Sequence, residues 1–209
     1  PTEGELASIF EVNRMTVRQA IIKLVNEGKL YRKRGLGTFV AEPKIERKVT
    51  RLVSFDADME ESGLRPRSAI LEKKVIKATD EVRTILNLKE DEMVVNIIRL
   101  RLANDQPIAI GKSLIPVKLC PSLVEENLDG VGSITQFIMQ KTSCKLAYAE
   151  QKIQAVAADS YQAKLLQIRK GSPLLHLYRV FNSTDHSPVG IFETSYRGDR
   201  YVFTSTLYC

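Results

Sequence analysis

The chain has 209 residues, enough for one large domain or for a small one joined to a medium one. Apolar residues make up 44% and charged residues 27%, which excludes a disordered chain. No apolar run approaches the roughly 18–20 residues of a membrane helix, and no signal-peptide pattern opens the chain. The net charge of +6 is unevenly placed: residues 1–48 hold ten Lys and Arg against six Glu and no Asp, and the rest holds 21 against 19. A basic segment on a nearly neutral body implies a polyanionic partner for the first part alone. Cys120, Cys144 and Cys209 match neither a zinc spacing nor a disulfide framework, so reduced thiols in a cytoplasmic protein are expected.

Thr2-Glu3-Gly4-Glu5 has the form of a capping box, and Leu6, Ile9 and Phe10 follow at helical spacing. Asn13 is the next N-cap candidate. Val17, Ala20, Ile21 and Leu24 then form one apolar stripe, and Gly28 ends that helix. Two helices meeting across Glu11-Val12-Asn13 make a helix-turn-helix. Lys29 to Arg32 and Thr38 to Val40 read as two short strands around a glycine turn at Arg34-Gly35-Leu36-Gly37. This hairpin is a wing. The predicted layout is a domain over 1–42, a charged linker over 43–50 and a second domain over 51–209.

In the second domain a short helix is predicted over Phe55–Glu61, a strand over Ser68–Ala78 and a helix from Thr79 to Leu86. A hairpin follows over Val94–Leu102 and Ile108–Ile115, turning at Asn104 to Pro107. Leu123–Leu128 and Ile134–Lys141 read as helices, Ala147–Val156 as a strand and Ala158–Ile168 as a helix. A second hairpin covers Leu174–Asn182 and Val189–Tyr196, and Tyr201–Tyr208 is a final strand. The two hairpins share a rhythm that suggests an internal repeat. Hairpin-connected strands with helices between them argue an α+β fold with an antiparallel sheet.

On the second helix, Thr16, Gln19 and Lys23 lie opposite the apolar stripe, and Arg14 and Arg18 flank its edge. Side chains near the start of such a helix reach base edges in the major groove. Arginine pairs bidentately with guanine, and a threonine methyl meets a thymine methyl. Residues 1–41 resemble the winged-helix domain of GntR-type bacterial regulators. The resemblance rests on Glu5-Leu6-Ala7, Val12 to Ala20, Glu27-Gly28 and Gly35 to Val40. It implies binding of double-stranded operator DNA by a homodimer, with no cofactor and no membrane. The candidate DNA-contact residues are Thr2, Asn13, Arg14, Thr16, Arg18 and Gln19, with Arg34, Gly35, Gly37 and Thr38 in the wing. Gly4 stands where the family usually has a DNA-touching Arg. The family also has a helix before the position of Pro1, so the winged helix is expected to lack its first helix.

Residues 50–209 resemble the UTRA effector domain of the HutC subgroup, whose fold is similar to chorismate lyase. The stretches that carry this include Ser54-Phe55, Arg99 to Ala103, Ala155 to Asp159, Gly171 to Leu175 and Tyr196 to Tyr201. Arg99 and Arg101, two apart on a strand, point to one face. Two guanidiniums on an apolar strand are costly unless they meet an anion, or unless both pair with acids of this chain. With Ser133 opening a helix they form a candidate phosphate or carboxylate site. The resemblance assigns Arg99, Arg101 and Ser133 to a phosphate, and Phe55 and Tyr196 to the pocket wall. Gly111 and Gly190 stand where sugar-phosphate-binding members carry two hydroxyl-binding glutamates. A small anionic metabolite is therefore the expected effector, with an amino-sugar phosphate less favoured.

Asp199 is expected to pair with an arginine at the Gly198 turn. The lone His176 and His186 have no metal-ligand spacing, and no nucleophile–base pair is found. The leading reading is thus a metabolite-controlled repressor and not an enzyme. Two alternatives are a lyase-like enzyme domain fused to a DNA-binding arm and a ligand-independent DNA binder.

Overall fold

The computed structural model describes residues 1–33, 35–41, 44–50 and 52–207. Arg34, Tyr208 and Cys209, named above, lie outside them. The chain divides into two compact units, Pro1–Lys44 and Ile45–Cys209.

In the first unit, α1 (Glu3–Ile9) starts at a reciprocal capping box. The Thr2 hydroxyl accepts from the Glu5 amide at 3.2 Å, and the Glu5 carboxylate accepts from the Thr2 amide at 2.7 Å. Left-handed Glu11 turns the chain. α2 (Arg14–Asn26) then starts at Asn13, whose Oδ1 accepts from the Met15 amide at 2.7 Å. β1 (Leu30–Lys33) and β2 (Gly37–Val40) form the antiparallel wing, and Tyr31 stacks on Phe39. Gly37 has φ of +119°, open to glycine alone.

The seat of α2 is rotated from the predicted stripe. Val17 and Ile21 are buried, Leu24 and Val25 are half-buried, and Ala20 is exposed. Packing follows 17, 21, 24 and 25 along the helix, which leaves residue 20 on the flank. Ile9 and Phe10, read as apolar anchors of α1, are 66% and 67% exposed.

The second unit begins inside the predicted linker. β3 (Ile45–Lys48) pairs in parallel with β10 (Tyr201–Thr204). Its burial alternates, with Ile45 and Arg47 inward and Glu46 and Lys48 outward. A charged residue in an inward slot hid that period from the sequence.

The body is a six-stranded antiparallel sheet in the order β4-β5-β6-β9-β8-β7. Its strands are β4 (Pro66–Lys77), β5 (Met93–Ala103), β6 (Gln106–Pro116), β7 (Leu146–Ala157), β8 (Pro173–Ser183) and β9 (Pro188–Arg197). The first hairpin turns through Asn104 and Asp105, both left-handed, so β6 starts at Gln106 and takes in Pro107. On one face α4 (Asp80–Leu86) and α7 (Ser160–Leu166) cover Val94, Leu114, Ile191, Leu100, Ile110 and Leu174. On the other lie α3 (Phe55–Glu61), α5 (Ser122–Glu125), α6 (Ile134–Lys141) and the β3–β10 pair, over Val95, Ile97, Ile115, Leu177 and Tyr196. α5 is shorter than predicted. The Lys73 ammonium donates to the carbonyls of Leu123, Val124 and Glu126 and closes it there.

The sheet is an internal repeat. α3-β4-α4-β5-β6 is followed by α6-β7-α7-β8-β9, and the halves meet at β6 and β9. Equivalent residues stand 80 positions apart as far as the hairpin turn. Leu86 matches Leu166, and the left-handed caps Asn87 and Gln167 match each other. Beyond the turn the spacing is 81. Lys112 pairs with its own equivalent Glu193 across the centre, which places a pseudo-two-fold axis between them. Leu86 and Leu166 are 2% and 0% exposed. Replacing either with Ala is expected to cost about 2–5 kcal/mol in chemical denaturation, with the two losses similar because the two environments are equivalent.

Candidate functional site

The first unit sets Arg14, Thr16, Arg18 and Gln19 on the exposed surface of α2. The only carboxylate found near Arg14 among the described residues is Glu3, at 3.9 Å, and the Arg14 side chain is 73% exposed. Thr2 and Asn13 are exposed at the starts of α1 and α2, where each caps its helix. Gly35, Gly37 and Thr38 are exposed in the wing. These residues form a polar surface free to meet a polyanion.

The second unit carries a cavity of about 420 Å³ between the sheet face and the starts of α3 and α6. Its wall includes five predicted residues: Phe55, Arg99, Arg101, Ser133 and Tyr196. β5 supplies the two arginines from alternate positions. Arg99 is 4% exposed, and its Nη1 donates to the carbonyls of Val131 at 2.9 Å and Gly132 at 3.0 Å. Arg101 donates to the Gly132 carbonyl at 2.8 Å and to the Ser68 hydroxyl at 2.7 Å. It lies 3.6 Å from the Asp56 carboxylate and over the Phe55 ring. Ser133 caps α6 by accepting from the Gln136 amide at 3.3 Å, and its hydroxyl contacts that of Thr135 at 2.9 Å.

The prediction left open whether both arginines pair with acids of the chain. Arg101 does, and Arg99 has no carboxylate within 4 Å among the described residues. Burial, with the charge of Arg101 adding to it, pulls the Arg99 guanidinium down to about 8. Burial also lowers Arg101, and Asp56 partly offsets it. The site makes the cation at Arg99 less favourable than it is in water, and an anion beside it offsets that penalty.

Gly132 is where the backbone passes closest. A Cβ there would fall 1.7 Å from Asp56 Oδ2. The lack of a side chain lets the Asp56 carboxylate stand against the loop whose carbonyl both arginines share.

The two glycine positions differ from each other. A Cβ at Gly111 would lie 3.7 Å from Thr194 Oγ1 and 3.9 Å from Arg101 Nε, so this position opens toward the site. Gly190 does not. A Cβ there would lie 2.9 Å from the Leu114 carbonyl oxygen and 3.1 Å from the Phe192 ring, although neither glycine is itself part of the cavity wall. Gly190 is thus a packing position, required where β9 crosses closely against β6.

Sequence reasoning missed Arg47 and Arg179, which also line the cavity. Arg47 donates to the Tyr196 hydroxyl at 2.9 Å and to the Val53 carbonyl, and its Nε lies 3.7 Å from Asp58. Burial opposes its charge, but Tyr196, Tyr201 and Asp58 more than offset that. Burial raises the Asp58 carboxyl against the pull of Tyr201, which is hydrogen-bonded to it, and of Arg47. Arg179 has no second arginine two residues away on its strand, the signal that marked Arg99 and Arg101. Elsewhere, Arg197 pairs with Asp199 at 2.7 Å beside Gly198, and the His176 ring meets the Ser195 hydroxyl at 3.0 Å.

A small basic winged helix attached to an α+β body with a cationic cavity defines a ligand-responsive DNA-binding regulator. Residues 1–40 match the family model "Bacterial regulatory proteins, gntR family", and residues 61–202 match the UTRA domain. The chain belongs to the GntR family and is a transcriptional repressor of that family with a UTRA effector domain. It is 39% identical over 203 residues to the HTH-type transcriptional repressor NagR of Bacillus subtilis, covering 97% of this chain and 83% of that one. It is 27% identical to the histidine utilization repressor of Pseudomonas aeruginosa over 179 residues, 86% of this chain and 70% of that one. The crystal structure of PhnF from Mycobacterium smegmatis superposes with a TM-score of 0.76 at 26% identity, covering 100% of this chain and 91% of that chain.

Arg99→Met is expected to have a ligand-free stability within about 1 kcal/mol of the wild type or above it, because removing a buried cation without a carboxylate partner offsets the loss of its two carbonyl hydrogen bonds. Inorganic phosphate should raise the melting temperature of the wild type and not of this variant. A large loss of ligand-free stability on substitution would contradict the account of Arg99.

Proposed function

We propose that this cytoplasmic repressor binds its operator as a homodimer through α2 and the wing, and that a small anionic metabolite in the sheet-face cavity controls that binding. One observation carries the effector reading: among the described residues Arg99 is buried without a carboxylate partner, beside Arg101 and the N-terminus of α6. Phosphates and carboxylates satisfy such a site through charge-assisted hydrogen bonds and the helix dipole. Phe55 and Tyr196 offer aromatic walls to the rest of the ligand. At position 111 a glutamate side chain would stand against Arg101; glycine leaves that charge to the ligand. This favours an acidic ligand over one recognised through its hydroxyls.

Dimerisation suits operators with two half-sites, since each winged helix reads one. Arg14 and Arg18 contact bases or phosphates at the start of α2, and Arg34 with Gly35 does so in the wing. Control follows if the effector binds one arrangement of the dimer better than another. Relatives are named as regulators or repressors, and the site is read as binding its ligand without turnover.

Arg18→Ala is expected to weaken operator binding by about 1–3 kcal/mol in fluorescence anisotropy, with unchanged phosphate affinity by calorimetry. Arg99→Ala should abolish phosphate binding and leave ligand-free operator affinity intact. Equal loss of both activities in both variants would overturn the two-site division.

A further inference from the structure

The internal repeat has a consequence for the ligand. Arg99 and Arg179 occupy equivalent positions, 80 residues apart. Arg99 pairs across its hairpin with Gly111, and Arg179 pairs with Phe192, the equivalent residue. Both side chains line the same cavity from opposite sides of the pseudo-two-fold axis.

Their surroundings are alike in composition, although the repeat does not relate them, since the counterpart of Arg101 is Phe181 and both nearby acids come from α3. Arg99 stands beside Arg101 with Asp56 behind them, and Arg179 stands near Arg47 with Asp58 behind them. Each cluster holds two guanidiniums and one carboxylate, and among the described residues no acidic side chain lines the cavity itself. Arg179 is 7% exposed, and its Nε donates to Gln151 at 2.7 Å. Neither of its terminal amino groups has a hydrogen-bond partner among the described residues. Burial and the charge of Arg47 lower it to about 10.

We propose that the cavity holds two anion subsites, and that its ligand is a metabolite with an acidic group at each end. One acid meets Arg99 and Arg101, and the other meets Arg179. This rests on the anionic-effector reading above and adds a specificity residue to it. β5 and β8 are three strand spacings apart, about 14 Å at about 4.8 Å per strand. The register sets Leu177 level with Arg99, so Arg179 lies two residues further along, about 6.6 Å, and the two Cα atoms are roughly 16 Å apart. Side chains stand nearly perpendicular to the sheet. With about 2.9 Å for a hydrogen bond at each end, roughly 10 Å remains between the acidic oxygens. An extended six-carbon chain with a carboxylate at one end and a phosphate ester at the other spans about that distance.

Calorimetry on the whole chain with 6-phosphogluconate and sorbitol 6-phosphate tests this. The two compounds share the phosphate and differ by a carboxylate at the far end. The wild type should bind 6-phosphogluconate about tenfold tighter or more, equivalent to 1.4 kcal/mol. In Arg179→Gln that preference should vanish, while the affinity for sorbitol 6-phosphate changes by less than about threefold, under 0.7 kcal/mol. Equal binding of the two compounds by the wild type would overturn the second subsite and leave the anionic-effector reading standing. Failure of both to bind would overturn both readings. A preference that survives in Arg179→Gln would overturn the role of Arg179. The wild-type comparison stands alone if the variant does not fold.

Discussion

Four guanidinium groups face one cavity, and two carboxylates stand behind them. That imbalance is the constraint around which the second unit is arranged. A guanidinium brought out of water loses its hydration and must recover it from dipoles, carbonyls or an anion. Arg99 takes two backbone carbonyls, Arg101 takes a carbonyl, a hydroxyl and Asp56, and Arg47 takes a phenol and a carbonyl. The loop Val131-Gly132, the start of α3 and the β3–β10 pair are held in place partly by these donors. Stability is given up at the cavity in the unliganded protein, which makes ligand binding and conformational state interdependent.

The sequence exposed the fold through features that act locally. Caps at Thr2, Asn13 and Thr79, hairpin turns and strand alternation each require only a few neighbouring residues, and each element they marked is present. Arg99 and Arg101 were legible because two charges on an apolar strand break a pattern. Arg47 was not, because it lies among other charges and only its pairing with β10 tells it from a solvated linker residue. Asp56 and Asp58 look like ordinary first-turn acids of α3. The sharing of one site by Arg179 and Arg99 follows from strand order, which no local signal encodes. Gly190 failed for a related reason: a glycine standing for a lost side chain and a glycine demanded by a neighbouring strand look alike in a single sequence.

The first unit is a different kind of object. Val17 and Ile21 are its only residues counted as buried among those described, so little apolar area is removed from water within it. Its charge is on the surface, where Arg14 and Arg18 are exposed. The second unit hides its charge and the first displays it. On the proposed function, the two sets of cations would meet different anions: one small and dehydrated, the other long and hydrated.

The pseudo-two-fold axis passes between Lys112 and Glu193, whose side chains meet at 3.2 Å. A perfectly symmetric sheet would place a residue opposite its own copy there and set like charge against like. Opposite charges at that point require halves that have diverged. The same divergence appears at the cavity: Arg99 and Arg179 are alike, but Arg101 has Phe181 as its counterpart. A ligand lying across the axis would meet Arg99 and Arg101 from one strand at one end, and Arg179, Phe181 and the Arg47 of β3 at the other. The sheet keeps two-fold geometry and discards two-fold chemistry, so head and tail of a bound molecule are distinguishable and one orientation is selected.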